Sequence, residues 1–386
     1  MDPLLNPYRP GAGTTPPALV GRDDLIDRFG VSMRRTLAGK PGKSVMPIGL
    51  RGVGKTVLVN RFIEISSHEG YEIAYLEAPE TGSFATLLAA KLRRVLLSLS
   101  QGPVSRSVNK AVAVLKSFTL TLPEGASIRI EPEPFLGLAD SGILSEDVTD
   151  LLVATGEAAR DRGQGVLLAI DEIQYLDAEE LSAAIVAIHR TTQLDLPVML
   201  TGAGLPQLPQ IAGEAKSYAE RLFEFPEIGP LPEDDTRTAL LVPAQEQNVT
   251  IEPDALDRLV EETGGYPYFI QEWGKHAWNQ AGGGVITLDD VSTSAPLVTA
   301  ALDRDFFRVR LDRLTPKERE YLRAMAELGP GPHRSGDIAA ELGVRVESVA
   351  PRRSMLIKKG MIYSPGHGET AFTVPLFDQF LRRVMP

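Results

Sequence analysis

The eight residues 49–56, GLRGVGKT, constrain this chain more than any other stretch. They follow the largely apolar run Val45-Met46-Pro47-Ile48 and precede Val57-Leu58-Val59. Gly49, Gly54, Lys55 and Thr56 have the spacing of a phosphate-binding loop set between a strand and a helix, with Gly52, Val53 and Val57 completing it. Small residues let backbone N–H groups converge on phosphate oxygens, and the helix that follows adds the positive end of its dipole. Lys55 is expected to reach the β- and γ-phosphates of ATP, and the Thr56 hydroxyl to bind Mg²⁺.

A second segment supports that reading. Val166-Leu167-Leu168-Ala169-Ile170 is apolar throughout and ends in Asp171-Glu172. Continuous apolar sequence is what a strand covered on both faces requires. Asp171 is expected to hold the Mg²⁺ shell and Glu172 to polarise a water towards the γ-phosphate. A site that carries its own base favours hydrolysis over transfer to a small acceptor.

The surroundings alternate between the two regular periods. Strands are expected over 45–50, 71–76, 166–170, 197–201 and 222–225, and helices over 25–37, 84–99, 144–162 and 178–193. This predicts an α/β fold, a parallel P-loop NTPase sheet. Residues 101–145 interrupt the alternation. A helix over 104–118 and a hairpin of 119–122 with 127–130, turning at Pro123-Glu124-Gly125, are expected there. From 233 to 281 the pattern is helical, Gly282-Gly283-Gly284 breaks it, and one long helix is expected over 287–311. The predicted organisation is a P-loop ATPase core over 1–230, a helical lid over 231–286, a linker helix over 287–314 and a C-terminal unit over 315–386.

That last unit opens with Thr315-Pro316-Lys317-Glu318, a capping hydroxyl, a first-turn proline and a glutamate at the third helical position. Helices to 328, over 335–342 and over 346–360, then strands 361–363 and 371–374 around Pro365-Gly366-His367-Gly368, predict a winged helix-turn-helix. Its third helix would present Arg352, Arg353, Lys358 and Lys359 to double-stranded DNA, with His367 at the wing tip. Residues 315–386 carry a net charge of +3 in a chain of −11, so nucleic-acid contact belongs there first. Winged helices also serve as protein-binding modules, and Pro351 falls within the proposed recognition helix.

The chain has no cysteine, which excludes disulfides, thiolate metal sites and a cysteine nucleophile. Its five histidines do not cluster at ligand spacing. The N-terminus lacks signal-peptide character and no apolar run reaches a membrane span, so a cytoplasmic protein with no membrane partner is expected.

In order along the chain, Asn6-Pro7-Tyr8-Arg9-Pro10, Leu19-Val20-Gly21-Arg22-Asp23, the phosphate loop, Ile170-Asp171-Glu172-Ile173-Gln174-Tyr175-Leu176, Ala219-Glu220-Arg221-Leu222-Phe223 and Gly264-Gly265-Tyr266-Pro267-Tyr268-Phe269-Ile270-Gln271 resemble the AAA+ and STAND P-loop ATPases, especially the origin-recognition/loader-like branch and its prokaryotic relatives. The resemblance implies that Val20, Gly21 and Arg22 border the adenine, and that Arg221 is an arginine finger reaching a neighbouring subunit in a homo-oligomer. Thr201 stands where a polar sensor would feel the γ-phosphate, or is an ordinary strand-end threonine. The Gly-Tyr-Pro of 265–267 lacks the lid arginine of many AAA+ members and is similar to the STAND branch, where the proline lies near the adenine. Pro267 is therefore assigned to the nucleotide, and slow hydrolysis is implied. The leading expectation is an ATP-dependent switch acting on DNA as a loader or initiator does. The alternative is a STAND-type signalling or defence scaffold whose winged helix binds protein. A phosphotransferase with its own small substrate is the least favoured.

Overall fold

A computed structural model describes residues 1–80, 82–101, 105–122 and 137–385. Its contacts group into two units, one of residues 23–48 and 58–227, the other of residues 1–22, 49–57 and 228–386.

In the first unit the apolar strand of the sequence lies inside the sheet, with a strand on each side. Asp23–Leu37 (α1) and Ser44–Val45 (β1) come first, and Lys55–His68 (α2) enters this unit at Leu58. Tyr71–Glu77 (β2), Phe84–Leu99 (α3), Arg106–Leu120 (α4), Leu144–Asp161 (α5), Gly165–Asp171 (β3), Ala178–Gln193 (α6), Val198–Gly202 (β4), Leu208–Ala215 (α7), Ala219–Leu222 (α8) and Phe223–Glu224 (β5) follow. β3 pairs in parallel with β2 on one side and β4 on the other. β1 pairs with β5, and Ile48 bridges both Gly204 and Glu227, which places the first strand between β4 and β5. Val166 to Ile170 are wholly buried, as helices on both faces demand. The expected first strand over 45–50 is shorter, because Pro47 has no N–H to continue a ladder.

The insertion is helical where it is described. α4 continues through Thr119 and Leu120, so the strand expected at 119–122 is corrected: Val114, Leu115 and Phe118 are buried at helical spacing and carry the helix past the alternating tetrapeptide. The proposed turn and second strand of that hairpin lie outside the described residues.

In the second unit Glu233–Glu246 (α9), Thr250–Ile251 (β6), Pro253–Thr263 (α10), Pro267–Gln280 (α11) and Val285–Ile286 (β7) precede Leu288–Ala301 (α12). β6 and β7 form a small parallel pair. The single long helix expected to 311 is corrected: after α12 the chain runs as a π-helix over Leu302–Arg308 before Val309–Leu311 (α13). The wider turn sends Phe306 and Phe307 to different neighbours, Phe306 to stack on Tyr268 and Phe307 on Phe380, at ring-centroid distances of 4.5 and 5.2 Å.

Pro316–Glu327 (α14), His333–Arg334 (β8), Ser335–Glu341 (α15), Ala350–Lys358 (α16), Ile362–Tyr363 (β9), Glu369–Phe372 (β10) and Phe377–Val384 (α17) complete the chain. The capping box at Thr315 forms as the sequence requires, with Glu318 returning to the Thr315 N–H. β10 lies between β8 and β9 in an antiparallel wing. Pro351 sits in the first turn of α16, where a missing N–H does no harm. α17, which the sequence reading did not identify, packs Phe377, Phe380 and Leu381 inward.

Candidate nucleotide site

The phosphate loop has the backbone its glycines allow. A Cβ on Gly49 would lie 2.2 Å from the Ile228 carbonyl oxygen. Gly52 and Gly54 have φ of 87° and 91°, a region that side chains disfavour. Val53 is buried and anchors the turn, and Thr56 and Val57 continue the helix that Lys55 opens. The Lys55 ammonium is buried and donates to the carbonyls of Gly49 and Leu50 at 3.0 and 2.9 Å.

The loop also contacts the C-terminal part of its own unit. The Arg51 N–H donates to the Thr373 carbonyl at 2.9 Å, and its Nε donates to the Gly360 carbonyl at 3.3 Å. The Tyr268 N–H donates to the Gly52 carbonyl at 3.2 Å. Phe306 carries the Arg310 guanidinium 4.4 Å above its centroid. Burial, with Glu272 and Asp305 adding to it against Arg310, pushes the Tyr268 phenol up to about 12.

The segment assigned to the adenine is ordered by Arg22, which donates to the Gly229 carbonyl at 2.7 Å and to that of Gly21 at 3.2 Å. Burial lowers the pKa of its guanidinium, against the opposing charge of Asp235. Val20 and Gly21 precede it, half-buried. Pro267 begins α11 directly after the Gly264-Gly265-Tyr266 turn. There the Leu231 N–H donates to the Gly265 carbonyl at 2.8 Å, and a Cβ on Gly265 would meet the Leu231 oxygen at 2.3 Å.

In the other unit, Asp171 ends β3 and is buried. Its carboxylate accepts from the Glu172 N–H at 2.9 Å. Glu172 has a left-handed backbone, φ 51° and ψ 38°, a conformation that carries strain in a non-glycine residue. Its carboxylate accepts from the Gln174 amide, whose oxygen in turn accepts from the Leu205 N–H at 3.1 Å. Glu77 stands in register with Asp171 across the β2–β3 pair. Burial, then the charges of Asp171, Glu172 and Glu80, raise the pKa of its carboxyl. Thr201 is fully buried and its hydroxyl donates to the Val45 carbonyl at 2.7 Å, so it ties β4 to β1. Arg221 is exposed on the short helix α8.

The basic residues expected to face DNA separate into two groups. Arg353 donates to the Thr370 hydroxyl, the Ser364 hydroxyl and the Glu369 carbonyl, each at 2.8 Å. Lys359 donates to Glu318 at 2.7 Å. Both therefore hold the wing and α14 in place. Lys358 and His367 are exposed and Arg352 is half-exposed. Sequence reasoning missed Arg51, Tyr268, Phe306, Glu77 and Gln174. Arg51, Gln174 and Tyr268 lay inside recognised motifs without an assigned role, and Phe306 and Glu77 lay outside them.

Residues 18–201 match the family model described as AAA ATPase domain. Residues 304–381 match a model described as a domain of unknown function (DUF8462). No curated protein matches the chain. Among solved structures, the RuvB Holliday junction branch migration motor of Thermotoga maritima is 16% identical, with 95% of this chain and 96% of that one covered at a TM-score of 0.46. Cdc6p from Pyrobaculum aerophilum is 15% identical, with 100% and 99% covered and a TM-score of 0.49. The Orc1 protein of Aeropyrum pernix in complex with DNA is 16% identical, with 96% and 94% covered and a TM-score of 0.44. Among the described residues no helix is long and apolar enough to cross a membrane. The phosphate loop and the acidic strand both lie inside the segment, residues 18–201, that is similar to an AAA ATPase domain.

Proposed function

We propose that this protein is an ATP-dependent switch whose nucleotide state is read by its winged helix and passed to double-stranded DNA. The observation that carries the reading is the position of Arg51. It lies inside the phosphate loop, and both its backbone and its side chain are bonded to the winged helix. A loop that reshapes around phosphates must disturb those bonds.

The donor set suits ATP with Mg²⁺. The Thr56 hydroxyl and the Asp171 carboxylate would offer hard oxygen ligands to the ion. When bound, Mg²⁺ neutralises charge on the β- and γ-phosphates. Lys55 would exchange its two loop carbonyls for phosphate oxygens. Glu172 would take a proton from the attacking water as the oxygen bonds to the γ-phosphorus and the bond to the β-bridging oxygen breaks, releasing ADP and inorganic phosphate. Arg221, presented outward on α8, would neutralise charge at a neighbouring copy's nucleotide in an oligomer.

For DNA, Arg352, Lys358 and His367 are the contacts, with Arg353 and Lys359 holding the surface that presents them. The second reading, a STAND-type scaffold whose winged helix binds protein, draws on Met355, which is 48% exposed on α16 beside these basic residues. Titration of labelled duplex DNA at two salt concentrations, with ATP or ADP, tests the first reading. Salt-sensitive binding that differs between nucleotides supports it, and no binding at low salt contradicts it.

A further inference from the structure

We propose that Gln174 is a positioning residue for the Glu172 carboxylate, coupling it to the segment that follows β4. The inference rests on the reading of Glu172 as the hydrolytic base.

Strands β3 and β4 remain stitched together after their ladder ends. The Ala203 N–H donates to the Ile170 carbonyl at 3.0 Å, and the Ile173 N–H donates to the Ala203 carbonyl at 2.9 Å. The next rung is made by a side chain. The Leu205 N–H donates to the Gln174 amide oxygen at 3.1 Å. A backbone N–H can only donate, so this contact fixes which end of the amide faces Leu205. The NH₂ end is thereby turned to the Glu172 carboxylate, to which it donates. The crowding is specific, because a Cβ on Gly204 would lie 3.0 Å from the amide oxygen.

Glu172 needs such a partner. Its left-handed backbone swings the side chain out of the line of β3, and a glutamate has three side-chain torsions with which to wander. The amide removes that freedom at one oxygen. It also makes the orientation of the carboxylate depend on the position of residues 203–205, which continue from Thr201 on β4. A displacement of that segment is therefore transmitted to the base through one amide. Glutamine has the two-ended chemistry this needs, an acceptor for the loop and a donor for the carboxylate. Glutamate supplies only the first, and methionine of similar length supplies neither.

The test uses the full chain with MgATP and compares Gln174→Met, Gln174→Glu and Glu172→Gln. Steady-state turnover, equilibrium ATP binding and thermal unfolding are measured for each. Gln174→Glu keeps the acceptor for Leu205 and loses donation to Glu172. The expected result is a kcat reduced at least tenfold in both Gln174 variants, ATP affinity within twofold of the parent, and a lowered Tm only in Gln174→Met. Were Gln174 merely a loop brace, Gln174→Glu would restore turnover along with Tm, and that outcome overturns the inference. If Glu172→Gln turns over as fast as the parent, the base assignment itself fails and the inference goes with it. An inactive Glu172→Gln beside a fully active Gln174→Glu removes the inference alone.

Discussion

The Arg51 N–H donates to the Thr373 carbonyl at 2.9 Å, so a residue of the phosphate loop is bonded to the chain leaving the central wing strand. Thr373 is tied in turn to the turn that ends α16, its hydroxyl donating to the Gly360 carbonyl at 2.6 Å. The same Gly360 oxygen accepts from Arg51 Nε. Arg51→Ala keeps the backbone bond and removes the side-chain one. A hydrogen bond of this kind contributes about 1 kcal/mol net. The expected outcome is a small drop in the urea midpoint with faster amide exchange over 360–374, read by mass spectrometry in the absence of nucleotide.

Gly265→Ala is expected to destabilise the chain by about 2 kcal/mol or more, since it combines strain at positive φ with overpacking. Its φ is 72° and the added Cβ would meet the Leu231 oxygen. Gly264→Ala, also at positive φ but with open space around it, should cost less. Chemical denaturation of the two variants checks the order, and equal costs would mean that the close approach to Leu231 is relaxed in solution.

The basic residues of α16 should divide by role. Arg352→Ala with Lys358→Ala is expected to weaken DNA binding severalfold and to lower the salt slope by about one for each phosphate no longer neutralised, with Tm unchanged. Arg353→Ala should lower Tm, because it deprives Thr370, Ser364 and Glu369 of one partner at once. Melting curves beside binding isotherms distinguish the two behaviours.

Lys359 and Glu318 give a dependence on pH. Burial alone would raise the Glu318 pKa, but the Lys359 ammonium and the Thr315 N–H outweigh it and hold the carboxyl below its ordinary value. A carboxyl whose folded pKa is depressed contributes stability above its unfolded pKa, about 4.3, and loses it as pH falls through the folded value. Lys359→Met removes the larger opposing charge. The expected result is lower stability at pH 7 and a smaller further loss between pH 5 and 3 than the parent shows, measured by denaturation across that range.

The two segments assigned to the nucleotide stood out because each is chemically extreme. A glycine-lysine-threonine loop and an all-apolar strand ending in two carboxylates have few other uses. The helix boundaries after residue 314 were readable from caps and turns, since Thr315, Gly343 and Gly360 mark them by local chemistry. What the sequence hid depended on tertiary context. Thr119 and Leu120 alternate like a strand but lie on a helix whose buried face is set by Val114, Leu115 and Phe118. The π-turn at 302–308 has no local signal, because it is fixed by where Phe306 and Phe307 stack. Arg353 and Lys359 looked like surface charges until the partners that hold them, distant in sequence, were placed beside them.

The central claim is that phosphates held at the loop are felt by the winged helix. Amide exchange over 360–374 with and without MgATP, in the parent chain and in Lys55→Ala, tests it most directly. The account predicts a nucleotide-dependent change in protection of that segment in the parent and none in Lys55→Ala. Identical exchange in the parent with and without MgATP, under conditions where ATP is bound, would contradict it.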